Sequence, residues 1–177
     1  MCIRDRRTLV RCRTVSNTDH ALEDEAEFEK LIHTLPELYP NVFKVCKFER
    51  LEDRALLFTW AGKAHTDPTV LMAHYDVVDV DEVGWKKPPF DAVLEDGVVW
   101  GRGTLDIKEQ VFGVLEAAEY LLARGKSFAR TAYLAFGDDE ETINLGALAI
   151  AEHLKAQGVT LEFVLDEGGC KIEPGTA

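Results

Sequence analysis

The sequence predicts an α/β fold, with helices packed against a largely parallel sheet. In the second half of the 177 residues, short apolar runs alternate with amphipathic stretches at helical spacing. That alternation is typical of layered α/β domains. The apolar runs are continuous, as expected for strands that are buried on both faces of a parallel sheet. The length suits one domain with a sizeable core.

One helix is predicted near the start of the chain. Apolar side chains recur at helical spacing over residues 19–38, and Thr18 or Asp19 can cap this helix. Pro40 would stop it, because proline cannot continue a helical hydrogen-bond ladder. Residues 1–7 are charged and lack the periodicity that follows. We exclude them from the fold and expect them to be non-native or disordered.

Five strands are predicted next. Residues 42–48 and 55–60 favour two strands with a turn between them. Residues 69–73 form a continuous apolar run, which predicts a strand buried on both faces. Residues 92–94 and 98–100 flank an Asp-Gly turn and predict a hairpin.

Helices and strands alternate after the hairpin. Apolar side chains on one face predict a helix over residues 106–124 and another over residues 144–157. Residues 131–136 and 161–165 are the remaining apolar runs, and we expect them to join the sheet. In such sheets the functional site lies beyond the carboxyl ends of the strands.

Side chains able to bind a metal follow these strand ends, and one heads the helix after residue 105. They are His74, Asp76, Asp106, Glu140, Glu141 and Asp166. A neutral imidazole binds divalent ions well, and an acid two residues on can orient its other ring nitrogen. The alternative for the His-x-Asp pair is an ordinary strand-end loop.

The acidic residues also have structural alternatives. Asp106 is as well suited to cap a helix as to bind metal. The four acids 138–141 would repel one another, and at a buried strand end some would be pushed toward protonation unless a dication is bound. One glutamate would then bind metal while its neighbour takes a proton from water. A solvated acidic turn is the alternative, and Asp166 with its neighbours reads alone as a turn.

Composition excludes several classes of protein. The 20 Lys and Arg against 32 Asp and Glu give a net charge of −12, which disfavours nucleic-acid binding. No run approaches the roughly 20 apolar residues of a membrane span. The four cysteines are scattered, contain no C-x-x-C pair, and fit a reducing compartment.

Taken together, the motifs resemble metallopeptidase family 20. The resemblance rests on residues 71–78, 85–90, 100–108, 139–141 and 165–169, which occur in the family's order. This family includes aminoacylases, carboxypeptidase S, dipeptidases and succinyl-diaminopimelate desuccinylase. The Asp-Glu-Gly-Gly ending is most similar to the carboxypeptidase S branch.

The resemblance implies a three-layer sandwich with a mixed, largely parallel sheet and two zinc ions, for which cobalt or manganese can substitute. His74 and Asp166 would bind the first zinc, and Asp76 would orient His74. Glu167 remains an alternative to Asp166, because relatives differ over which of the two acids is the ligand.

The resemblance also implies the remaining roles. Asp106 would bridge both zinc ions, with a cis peptide to Ile107. Glu141 would bind the second zinc, and Glu140 would be the general base. Together these residues imply hydrolysis of an amide bond in a peptide or an N-acyl amino acid.

The sequence departs from the family pattern in places. Asp79 stands where proline is usual, and Ile143-Asn144 replaces a Gly-Gly pair. The family's last histidine ligand and its dimerisation or lid domain have no counterpart in residues 8–177. We therefore expect a partial catalytic domain, inactive alone, that could form a homodimer only with that further domain. The alternatives are a deacylase of a biosynthetic intermediate and a non-catalytic metal-binding fragment.

Overall fold

The structure is a computed structural model that describes residues 3–52 and 54–167, apart from the side chain of residue 65. Its helices are α1 (Ile3–Val10), α2 (Glu25–Leu38), α3 (Pro40–Val45), α4 (Lys108–Leu122) and α5 (Leu145–Ala156). Its strands are β1 (Lys47–Leu51), β2 (Ala55–Trp60), β3 (Ala64–His74), β4 (Val93–Glu95), β5 (Val98–Trp100), β6 (Arg130–Gly137) and β7 (Phe163–Leu165). None of the helices within these described ranges has the length and apolar character of a membrane span.

Five strands form one mixed sheet in the order β1-β2-β6-β3-β7, and β4 pairs with β5 in a separate hairpin. Strands β6, β3 and β7 run parallel, whereas β1 and β2 are antiparallel to their neighbours. The parallel part is thus the half of the sheet that carries the candidate site. The predicted α/β fold with a mixed sheet is confirmed.

Two apolar clusters cover the faces of this sheet. On one face, α2, α3 and α4 pack over β2 and β6 through buried side chains such as Phe28, Leu115 and Phe136. On the other face, α5 contributes Ile150 and Leu154. The sheet therefore lies between two helical layers, as the expected sandwich requires.

The strand predicted at residues 42–48 begins only at Lys47, as β1, because residues 40–45 form helix α3. Helix α2 ends at Leu38, just before Pro40, as predicted, and Pro40 also begins α3, since a first-turn proline needs no hydrogen-bond donor. The carboxylate of Glu119 accepts the backbone amides of Asn41 at 2.9 Å and Val42 at 3.0 Å. A side chain distant in sequence therefore caps the helix.

The start of the chain also differs from expectation. Residues 3–7 belong to α1, where Arg7 Nε donates to the Ala92 carbonyl at 2.7 Å and Leu9 is fully buried. Helix α2 begins only at Glu25, capped by Asp24, and a short 3-10 helix precedes it. The predicted long helix is therefore divided in two.

Candidate metal centre

Three neighbouring strands bring the predicted residues together. His74 is the last residue of β3 and lies in register with Gly137 at the end of β6. Strand β7 pairs with the other side of β3 and ends at Leu165. Because the three strands are parallel, the segments that follow them meet at one edge of the sheet.

The imidazole of His74 is the centre of this edge. It is 2% exposed, and its Nδ1 lies 3.1 Å from Asp76 Oδ1. Its Nε2 faces three carboxylate oxygens: Asp106 Oδ1 at 3.2 Å, Glu140 Oε2 at 3.6 Å and Glu167 Oε1 at 3.8 Å. One ring nitrogen therefore faces a buried acid and the other faces a group of solvent-accessible acids.

Asp76 is fully buried and accepts hydrogen bonds on both carboxylate oxygens. The backbone amides of Glu140 and Glu141 each donate to it at 3.1 Å, and Ser16 Oγ donates at 2.7 Å. Burial alone would raise the pKa of Asp76, but the contacts with His74 and Ser16 hold that pKa below its usual value. The residue thus remains a carboxylate and fixes the segment after β6.

Burial and the closely spaced acids shift the pKa values of several residues of the site. Burial alone would lower the pKa of His74, but Asp76, Glu140 and Glu167 raise it to about 9. Burial and the nearby Asp106 carboxylate raise the pKa of Glu141, and burial also raises the pKa of Glu167. A bound dication relieves such repulsion between acids.

The donor set fits a divalent ion. Within the part of the chain that the structure describes, one group of ligand atoms lies within 4.8 Å of one another, from His74, Asp106 and Glu167. Imidazole nitrogens and carboxylate oxygens are both zinc ligands in proteins. A nearby cavity of about 650 Å³ lies beside α5 and includes none of these three residues.

The structure places Glu167, and not Asp166, against His74. Asp166 is exposed, and its Oδ1 accepts a hydrogen bond from the backbone amide of Glu167 at 2.9 Å.

Asp106 does not cap α4: Ile107 is the capping residue, without a side-chain hydrogen bond. The Asp106–Ile107 peptide is trans, in contrast to the cis bond that the resemblance implies.

Asp138 and Asp139, the first two of the four acids after β6, have different environments. Asp138 pairs with the buried Arg54 at 3.0 Å, and burial raises the pKa of Asp138 to about 7. Asp139 accepts the amides of Leu145 and Gly146 and so caps α5. The solvated-turn alternative does not describe these two acids, because both are buried.

Sequence reasoning missed three buried residues behind the site. Ser16 contacts Asp76, Arg54 contacts Asp138, and Lys108 Nζ donates to the carbonyl oxygen of Cys12 at 2.6 Å. Burial lowers the pKa of Lys108 to about 8. Only Lys108 had a signal, since it lies in the motif at residues 100–108; Ser16 and Arg54 stand in unpatterned segments.

A histidine and carboxylates at the carboxyl ends of parallel strands lie where α/β domains place their functional sites, and these groups can bind a metal ion. Residues 70–176 match Peptidase family M20/M25/M40. The chain therefore belongs to this family, whose members are hydrolases, and the resemblance found in its motifs is confirmed.

Curated relatives match most of the chain. The N-fatty-acyl-amino acid synthase/hydrolase PM20D1 of Homo sapiens is 42% identical over 147 residues, which cover 81% of this chain and 29% of the relative. Probable carboxypeptidase S-like 2 of Dictyostelium discoideum is 37% identical over 150 residues, covering 81% of this chain and 28% of the relative. The chain thus spans less than a third of the length of these relatives.

Solved structures share the fold. The M20 family metallo-carboxypeptidase Sso-CP2 from Sulfolobus solfataricus superposes with a TM-score of 0.70 at 20% identity, covering 94% of this chain and 37% of that chain. Human carnosine dipeptidase 1 gives a TM-score of 0.74 at 14% identity, covering 96% of this chain and 38% of that chain. At these identities the likeness concerns the fold.

Proposed function

We propose that this chain supplies part of the active site of a zinc-dependent amidohydrolase that cleaves an amide bond in a peptide or an N-acyl amino acid. The observation that carries the proposal is the buried His74, whose Nε2 faces the carboxylates of Asp106, Glu140 and Glu167 within 3.8 Å. The names of the relatives, an N-fatty-acyl-amino acid hydrolase and a carboxypeptidase S-like protein, support this class of substrate.

The residues divide the work between binding and proton transfer. His74, Asp106 and Glu167 would hold the first ion, with Glu167 favoured over Asp166 by its distance to His74. Zinc supplies Lewis acidity that polarises the scissile carbonyl and lowers the pKa of water. Glu140 would accept a proton from the attacking water and pass it to the leaving nitrogen.

A second zinc ion is part of the proposal. A second ion would supply further Lewis acidity to the same reaction. Asp106 would bridge the two ions and Glu141 would bind the second. Burial and the Asp106 carboxylate raise the pKa of Glu141, and a second cation would relieve this repulsion. Cobalt or manganese would serve as substitutes.

Glu140→Gln tests the proposed base. We expect this variant to keep its zinc, measured by mass spectrometry, and, in a version extended to the length of the relatives, to lose about 10²–10⁴-fold in turnover of N-acyl amino acids and dipeptides. Glu152→Gln makes the same charge change on the exposed face of α5 and is the control. Normal turnover by Glu140→Gln would refute the base assignment.

The second candidate is a metal-binding chain without turnover. The side chains of Asp106, Glu140 and Glu167 are 64%, 39% and 37% exposed, so the described residues leave the ion's position open to water. Metal content and amidase activity of the 177-residue chain separate the candidates. Bound zinc without turnover favours this one, and bound zinc with turnover removes it.

A further inference from the structure

The segment that precedes α2 lies against the end of β3. Val15 forms a parallel bridge with Val77, the Val77 amide donates to Thr14 O at 2.9 Å, and the Ser16 amide donates to Val77 O at 3.2 Å. We call residues 14–16 the strap. The strap is therefore hydrogen-bonded to the residues that immediately follow His74.

Two hydroxyl groups of the strap are buried and point to different partners. Thr14 Oγ1 donates to the backbone carbonyl of Tyr75 at 2.5 Å. Ser16 Oγ donates to the carboxylate of Asp76 at 2.7 Å. Thr14 and Ser16 are 0% and 7% exposed, so neither hydroxyl group has bulk water as a ready replacement partner.

The hydrogen bond from Ser16 belongs to a four-donor arrangement on Asp76. Oδ1 faces His74 Nδ1 and the Glu140 amide, while Oδ2 faces Ser16 Oγ and the Glu141 amide. Without Ser16, Oδ2 would keep the Glu141 amide as its donor among these four. The carboxylate would then be freer to rotate, and the imidazole and the segment after β6 would rotate or shift with it.

We propose that Ser16 is a positioning residue of the metal centre, acting through Asp76 on the imidazole of His74 and on the backbone at Glu140 and Glu141. This inference rests on the proposed metal-binding function. Ser16 donates to Asp76, which is not one of the carboxylates that face Nε2 of His74. Ser16 would therefore affect the orientation of the ligands without binding the ion. Hydrogen-bonded partners of this kind typically change metal affinity by about 10–100-fold.

The test compares zinc affinity in variants of the 177-residue chain, measured by competition with a chromophoric chelator. We expect Ser16→Ala to weaken zinc binding by about tenfold or more, and Ser16→Thr, which keeps the hydroxyl group, to restore most of it. Thr14→Val is the matched control: it removes a buried hydroxyl group from the same strap without touching Asp76. We expect it to change zinc affinity by no more than about twofold.

A second comparison guards against loss of folding. Ser16→Thr and Ser16→Val have the same shape and differ in the hydroxyl group, so their zinc affinities isolate the hydrogen bond even if Ser16→Ala unfolds. Equal affinities in this pair, or an equal loss in Thr14→Val and Ser16→Ala, would overturn the role of Ser16. Absence of zinc binding by the unaltered chain would instead overturn the proposed function on which it rests.

Discussion

Burial and the neighbouring acids have opposite effects on the pKa of His74, and the effect of the acids is larger. The ring is enclosed, yet acids on both sides raise its pKa from 6.5 to about 9. The metal-free protein therefore carries an imidazolium at neutral pH, and zinc must displace its proton. Zinc affinity consequently depends on pH through this residue.

The same shift makes a prediction for the stability of the metal-free protein. A pKa that is raised on folding stabilises the protein fully below about pH 6.5, and the contribution disappears as the pH rises through about 9. We expect the unaltered chain to be more stable than His74→Gln at pH 6.5, and this difference in unfolding free energy to decrease as the pH rises to about 9. Chemical denaturation of both variants in the presence of a chelator measures this difference. Groups such as Lys108 contribute to the pH dependence of both variants, so their contributions cancel. A constant difference would contradict the shift.

The adjacent acids Asp166 and Glu167 give a second prediction. Glu167 Oε1 lies 3.8 Å from His74 Nε2, whereas Asp166 caps the next amide in an exposed segment. We expect Glu167→Gln to weaken zinc binding by at least about tenfold, since an anionic ligand becomes a neutral amide and even partners outside the ligand shell change affinity by about 10–100-fold. Asp166→Asn, with the same charge change one residue earlier, should have a small effect. The reverse order would restore Asp166 as the ligand.

This pair marks a limit of sequence reasoning about residues. The motif places two carboxylates after a strand, but consecutive residues of an extended chain point to opposite sides. Which one faces His74 depends on how β7 ends, and β7 has only three residues. His74, Asp106 and Glu140 were predictable because strand ends and the helix start fix their positions.

Among the elements, the loop before α4 depends on glycine. Gly103 has φ +75°, and a Cβ atom there would lie 2.7 Å from Val77 Cγ1. We expect Gly103→Ala to combine backbone strain with overpacking of about 1–3 kcal/mol. Gly125→Ala, at φ +65° with open space around it, should show the backbone cost alone. Chemical denaturation measures both, and equal losses would exclude a steric role for Val77.

Helix α3 shows why the strand predicted at residues 42–48 begins later than expected. Residues 42–48 have the apolar character of a strand, but Glu119 on α4 caps residues 40–45 as a helix. That contact joins positions 78 residues apart and leaves no local signal. The strands β2, β3 and β6 were predictable because each contains a short, continuous apolar run, although β3 begins at Ala64, five residues before its run.

For the whole molecule, acidic residues dominate both the charge and the candidate site. The net charge is −12, and the carboxylates around His74 lie at one edge of the sheet. Repulsion among these carboxylates opposes folding, the His74 imidazolium offsets part of it, and a bound dication would relieve more. Stability and metal binding are therefore linked across the entire domain.

Zinc should consequently raise the unfolding temperature. At a free concentration of about 100 times the dissociation constant, binding adds about 2.7 kcal/mol. For a domain of this size that corresponds to an increase of about 5–10 °C. Differential scanning calorimetry with zinc and with chelator checks this shift, which His74→Gln should abolish. An equal shift in His74→Gln would place the ion elsewhere.

The four donors on Asp76 have a consequence for how this site can vary over generations. Positions 140 and 141 are attached to that carboxylate through their main chain. The backbone position of residues 140 and 141 therefore does not depend on which side chains they carry. A related protein could have a different side chain at either position and keep the same backbone hydrogen bonds to Asp76. A replacement of Asp76, in contrast, would disturb the histidine and both glutamates in one mutational event.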